Sequence, residues 1–134
     1  MFNKKKQPPI RSLIADGSQI DGNLTFSDGL RVDGALVGNI YGKSDLPSIL
    51  VISESAAVTG EIHADHIIIN GTVKGPVHAR VMLELQPKAR IHGDVHYAAL
   101  EMHQGAIIAG QLRPMADADD AVGKPTLKLA ANNQ

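Results

Sequence analysis

The sequence predicts an all-β protein, a single chain wound into a β-helix of about six triangular coils. Three observations lead there. A pattern of apolar, any, Gly, any, apolar recurs six times, with its glycines spaced 16, 22, 15, 18 and 17 residues apart. Around each copy, apolar residues alternate with period two, which is the signature of short strands buried on one face. The aromatic content is only Phe2, Phe26, Tyr41 and Tyr97, whereas Ile, Val and Leu are abundant and 13 glycines are present. A chain so poor in aromatic bulk and so rich in branched aliphatics and glycine suits strands and tight corners.

Residues 1–11 come before the repeat and carry Lys4, Lys5, Lys6 and Arg11 without an acid. The repeat occupies residues 12–112. Its six copies place Gly22, Gly38, Gly60, Gly75, Gly93 and Gly110 in one column, each flanked by apolar residues such as Ile20 and Leu24 or Ile108 and Leu112. These glycines share parity with their apolar neighbours, so the expectation is that they face inward at a corner, where a larger residue would strike the core. A second column of small residues, Ser18, Gly34, Ala56, Gly71, Ala89 and Ala106, marks a second corner. Before it lie the apolar pairs Leu30/Val32, Leu50/Ile52, Ile67/Ile69, Leu83/Leu85 and Leu100/Met102, while the first coil keeps Ile14 with Ser12 in the partner position. Two marked corners between three apolar sides give a triangle. Six coils stacked at the strand spacing make a rod of roughly 25–30 Å. The longest glycine interval holds an insertion, Gly42-Lys43-Ser44-Asp45-Leu46-Pro47-Ser48, read as a surface loop. Residues 113–134 lie beyond the repeat. Both flanks contain proline and polar or small residues, and both are expected to be disordered tails.

Composition excludes several functions. There is no cysteine, hence no disulfide or thiolate metal site. No apolar run reaches the length of a spanning helix, and no apolar segment follows the basic start as in a secretory signal, so the expected location is cytoplasmic. Residues 12–112 hold 6 basic and 11 acidic residues, a net of −5. An acidic body with a basic tip argues against a nucleic-acid partner and for a tip that touches something anionic.

Catalytic residues are not expected. The carboxylates Asp21, Glu61, Glu84, Asp94 and Glu101 scatter along outward positions, and no nucleophile elbow, phosphate-cradling loop or HExxH motif is present. No cofactor is expected. His63, His78 and His96 fall in one outward column that ends in Tyr41 and Arg113. With no acid expected to orient the rings, the column reads as a solvated ladder and not as a metal site.

The start and the two ends of the repeat carry more. Phe2 followed by Lys4, Lys5 and Lys6 has the makings of a membrane foot, in which the ring enters the acyl boundary and the lysines meet anionic lipid. One such foot binds weakly; many copies on a polymer bind through avidity. No amphipathic helix flanks the repeat to cap it. Either the tails fold over the ends or the ends pair with other molecules, and the sequence favours pairing. The half-covered side chains would be Ile14, Ile20, Leu24 and Phe26 in the first coil and Leu100, Met102, Ile108 and Leu112 in the last.

Together, the glycine-punctuated repeat over residues 12–112, the Met-Phe-x-Lys start and the proline-containing tails resemble the bactofilins, bacterial polymer-forming cytoskeletal proteins. The resemblance implies a right-handed β-helix and non-polar filaments formed without nucleotide by pairing of like ends. It also implies a role in cell shape, often by placing peptidoglycan synthases or hydrolases. Phe2 and Lys4–Lys6 match the family's membrane-targeting motif. The partners implied are therefore other copies of the chain, anionic lipid of the inner membrane face and cell-wall enzymes. Two other readings stand beside it. A six-residue repeat through Ile67, Val73, Ala79, Leu85, Ile91 and Tyr97 suits a left-handed β-helix acyltransferase, although the register slips elsewhere and no long loop carries a histidine. A membrane adaptor that does not polymerise is the other.

Overall fold

The computed structural model describes residues 8–43 and 47–115. It is a parallel β-solenoid of six turns, and it contains no helix among those residues. The first coil is formed by β1 (Ile10–Ile14), β2 (Gln19–Asp21) and β3 (Leu24–Phe26), and the second by β4 (Asp28–Val32), β5 (Ala35–Val37) and β6 (Ile40–Gly42). Next come β7 (Ser48–Ile52), β8 (Ala57–Thr59) and β9 (Ile62–Ile69), then β10 (Thr72–Lys74) and β11 (Val77–Leu85). The last are β12 (Arg90–His92), β13 (Val95–Tyr97), β14 (Leu100–Met102), β15 (Ile107–Ala109) and β16 (Leu112–Pro114). One face is the six-stranded run β2-β5-β8-β10-β12-β15. The other two faces join into one ten-stranded sheet because β9 and β11 each run through a corner without breaking.

Register is set by the alternation of side chains. Each apolar residue sits over its equivalent: Leu36 over Val58, Val58 over Val73, Val73 over Ile91 and Ile91 over Ile108. A slip by one residue would turn the whole row to solvent. The inward rows of the central coils are fully buried, from Leu36, Ile40 and Leu50 through Ile62, Ile67 and Ile69 to Leu83 and Leu85.

The glycine corner departs from expectation in its cause. Each glycine of the column stacks on the previous one, but a β-carbon at Gly38, Gly60, Gly75, Gly93 or Gly110 would meet the carbonyl of the glycine one coil earlier, not the core. The backbone itself passes too close for a side chain. The N–H groups of Gly38 and Gly60 meanwhile donate to the carbonyls of Thr59 and Lys74, so the corner is stitched in both directions. Beside it, Asn23 and Asn39 accept the backbone N–H of Asn39 and Glu61 in the next coil, each at 2.9 Å.

The second corner is tight at Gly34 and Gly71 and wide in the other four coils. In the wide form the N–H of Ser18, Ala56 and Ala89 donates to the carbonyls of Ala15, Ser53 and Gln86, each at 3.0 Å, and that of Ala106 to His103 at 3.2 Å. The third corner carries the insertion, between β6 and β7. There Ser48 is fully buried, donating its N–H to Asp65 and accepting the Asp65 N–H on its hydroxyl oxygen. Arg80 donates to Asp65 at 2.7 Å and to the Gly42 carbonyl at 3.0 Å. These bonds fasten both ends of the inserted loop to the following coils.

The regular structure extends beyond residues 12–112 at both ends. Ile10 joins β1 opposite Gly29, whose missing side chain leaves room for Pro9 and Ile10. Arg113 joins β16 beside His96 and donates to Asp94 at 3.0 Å.

Candidate functional site

The ends of the rod differ from its middle in coverage and in pairing. Among the described residues, strands β1, β2 and β3 pair on one side only, as do β14, β15 and β16, so each terminal coil presents three strands with an edge that no described strand pairs. Free edges are templates for pairing with another chain. At the C-terminal end, Met102 is 45% and Leu112 48% exposed, while Leu100 and Ile108 are half-buried against the core. Their counterparts one coil back, Leu85, Val95, Leu83 and Ile91, are closed to solvent. The missing layer is the whole difference.

The N-terminal end is partly closed. Ile20 and Leu24 are half-buried, as expected. Ile14 and Phe26, expected to be half-covered, are instead buried, with 6% exposure each. Gly42, above Phe26 in the next coil, explains the ring: its missing side chain leaves a space that the ring occupies, and Phe26 Cζ would lie 3.1 Å from a β-carbon there. Below these residues is a cavity of about 410 Å³ bordered by Leu13, Ile14, Ile20, Leu24, Phe26 and Asp28 among others. Its rim carries an ion pair, Arg11 to Asp28 at 3.2 Å, and Asp28 sits at φ 66°. The two ends therefore differ in chemistry: one is a charged-rimmed hollow, the other an exposed apolar layer ending in Pro114, which has no N–H to offer a partner strand.

The histidine column is a real stack. His63 and His78 have ring centroids 4.2 Å apart and planes within 6°, and His78 and His96 are 4.4 Å apart and within 10°. Tyr41 continues the stack from the second coil at 5.3 Å. The expectation that no acid stands beside these rings is wrong: Glu61 Oε1 lies 3.4 Å from His63 Nε2. The two residues are separated by one position on a strand edge, so their shared side was visible in the parity. Burial, then the flanking His63 and His96, hold the pKa of His78 below its usual value, with Glu61 opposing. On another face His103 stands between Glu84 and Glu101, at 3.1 and 3.3 Å. Phe2, Lys4, Lys5 and Lys6 lie outside the described residues.

A short parallel β-solenoid with apolar terminal coils and free strand edges, and with no capping helix among the described residues, defines a class of protein whose ends are suited to meeting other ends. Comparison with known proteins makes the class specific. The chain belongs to the bactofilin family, described as polymer-forming and cytoskeletal, which matches residues 12–113. It is also similar to Bactofilin BacO of Myxococcus xanthus (strain DK1622), with 24% identity over 111 residues that cover 83% of this chain and 85% of the relative. No solved structure matches it. The family makes this a structural, self-associating cytoskeletal protein. Among the described residues there is no helix, hence none long and apolar enough to cross a membrane.

Proposed function

We propose that the chain assembles end to end into non-polar filaments without nucleotide, through its first and last coils. The observation that carries this is the contrast in coverage: Met102 and Leu112 are about half exposed, while the equivalent Leu85 and Val95 one coil earlier are sealed. Burying such side chains stabilises by about 25 cal/mol per Å² before association costs, and joining edges satisfies free backbone groups as strand addition does. The polymer attaches to the inner face of the cytoplasmic membrane through Phe2 and Lys4–Lys6, where each lysine contributes about 1 kcal/mol near anionic lipid and the ring roughly 1.5–3 kcal/mol. Positioning of peptidoglycan synthases or hydrolases rests on the family resemblance alone. Negative-stain microscopy of nucleotide-free protein tests assembly, and cosedimentation with anionic liposomes tests attachment. Deleting residues 2–6 is expected to release the protein from liposomes and leave filaments intact; cosedimentation equal to that of the full chain would refute the foot.

A further inference from the structure

We propose that the histidine ladder holds a chelating site for a borderline divalent transition ion such as zinc, nickel or copper, with His63 and His78 as imidazole donors and Glu61 as the carboxylate donor. The backbone fixes the arrangement. His63, His78 and His96 are direct partners across β9, β11 and β13, so their α-carbons are held one strand spacing apart whatever the side chains do. One donor atom each from Glu61, His63 and His78 already lies within 4.8 Å of the other two.

An ion with metal–ligand bonds of about 2.0–2.1 Å in tetrahedral geometry needs its donors about 3.4 Å apart. The Glu61 to His63 separation is already 3.4 Å. The rings are parallel, so neither lone pair yet points between them. Rotation about χ2 of histidine is soft, and tilting the two rings toward each other brings the lone pairs together without moving the backbone. Stacking alone explains neighbouring rings; it gives no reason for a carboxylate at the nitrogen edge. Imidazole ligates in its neutral form, so binding is read at pH 7.5. Imidazole donors select these ions over magnesium or calcium, which take oxygen ligands.

The test uses the full chain, stripped with chelator at pH 7.5 and titrated with Zn²⁺ by calorimetry, with retention checked by equilibrium dialysis. We expect one ion retained per chain. His78→Gln is expected to weaken binding by about tenfold or more. Circular dichroism reports whether that variant folds; Glu61→Gln, at a partly exposed edge, is read in the same way and stands in for it if it does not. His103→Gln is the comparison, because His103 faces two carboxylates on another face. A wild-type chain that retains no zinc overturns the proposal. So does unchanged affinity in the folded Glu61 and His78 variants, or loss of binding only in His103→Gln.

Discussion

The carbonyl oxygen of Gly38 occupies the space that a β-carbon on Gly60 would need. Gly60 also sits at φ 144°, a conformation that L side chains rarely adopt. Both effects oppose substitution, and they separate at Gly22. That residue has φ 129° but nothing within 4 Å of a β-carbon, because no coil precedes it. Gly60→Ala therefore combines backbone strain of about 1–3 kcal/mol with an overpacking cost of similar size, whereas Gly22→Ala carries only the strain. Thermal denaturation is expected to show a drop for Gly60→Ala about twice that for Gly22→Ala. Equal drops would mean that the carbonyl contact is relieved by a small backbone shift.

The column itself was legible in the sequence; its reason was not. Parity says that a glycine faces inward, and inward suggested the core. What parity does not carry is the distance between successive backbones, which is set only once the coils stack. The apolar pairs from Leu30/Val32 to Leu100/Met102 stack as read, because period two fixes both their face and their order. The third corner had no such mark. Ser48, Asp65 and Arg80 stand 17 and 15 residues apart, close to the period of the repeat, but they are three different polar residues and share no apolar or glycine mark, so the pattern that reveals the coils does not single them out. In the sequence Phe26 looks like an open end residue for a related reason: the space that receives it belongs to Gly42, 16 positions later, outside the glycine column.

At that third corner, Asp65→Ala is expected to leave the buried Ser48 N–H and the Arg80 guanidinium without their acceptor. A buried donor that loses its partner costs about 1–3 kcal/mol. Because Arg80 also reaches the Gly42 carbonyl, the loss should loosen the inserted loop more than the rod. Limited trypsin digestion is expected to cleave at Lys43 faster in Asp65→Ala than in the parent, with a modest fall in melting temperature. Unchanged cleavage would show that Arg80 holds the loop unaided.

Protonation of His78 should appear as a pH dependence. The pKa of His78 is lowered from 6.5, first by burial and then by His63 and His96, with Glu61 acting in the opposite sense. Above that ordinary value both folded and unfolded chains hold it neutral, and it contributes no slope. Below 6.5 the unfolded chain takes up a proton that the folded chain resists, so stability falls with pH until the lowered folded pKa is passed. Asp33 and Asp94 act later: their pKa values are lowered from 3.8, so their contribution is present above that value and is lost only as pH falls below it. In metal-free buffer with chelator, melting temperatures from pH 7.5 to 5 should decline for the parent and decline less for His78→Gln. Identical profiles would remove His78 as the cause.

End-to-end assembly makes the sharpest demand on single residues. Phe26→Arg is a poor probe, because the ring is buried beneath Gly42 and its loss would disturb folding of the first two coils. Leu24 is half-buried at the same end, and Leu112 is exposed at the other, so Leu24→Lys and Leu112→Lys place a charge on each end with less damage to the rod. A lysine in an apolar contact must be desolvated on association, which outweighs the apolar gain over a similar area. Both variants are expected to lose long filaments while keeping their β-sheet circular dichroism. Ala57→Lys, at an exposed position on a central coil, should polymerise as the parent does. The residual species then report polarity. If like ends pair, each single variant still has one working kind of contact and should sediment as a dimer, and the double variant as a monomer. If the first coil of one chain meets the last coil of another, each single variant already lacks half of every contact and should sediment as a monomer. Normal filaments from both end variants would move the polymer contact to the faces of the rod.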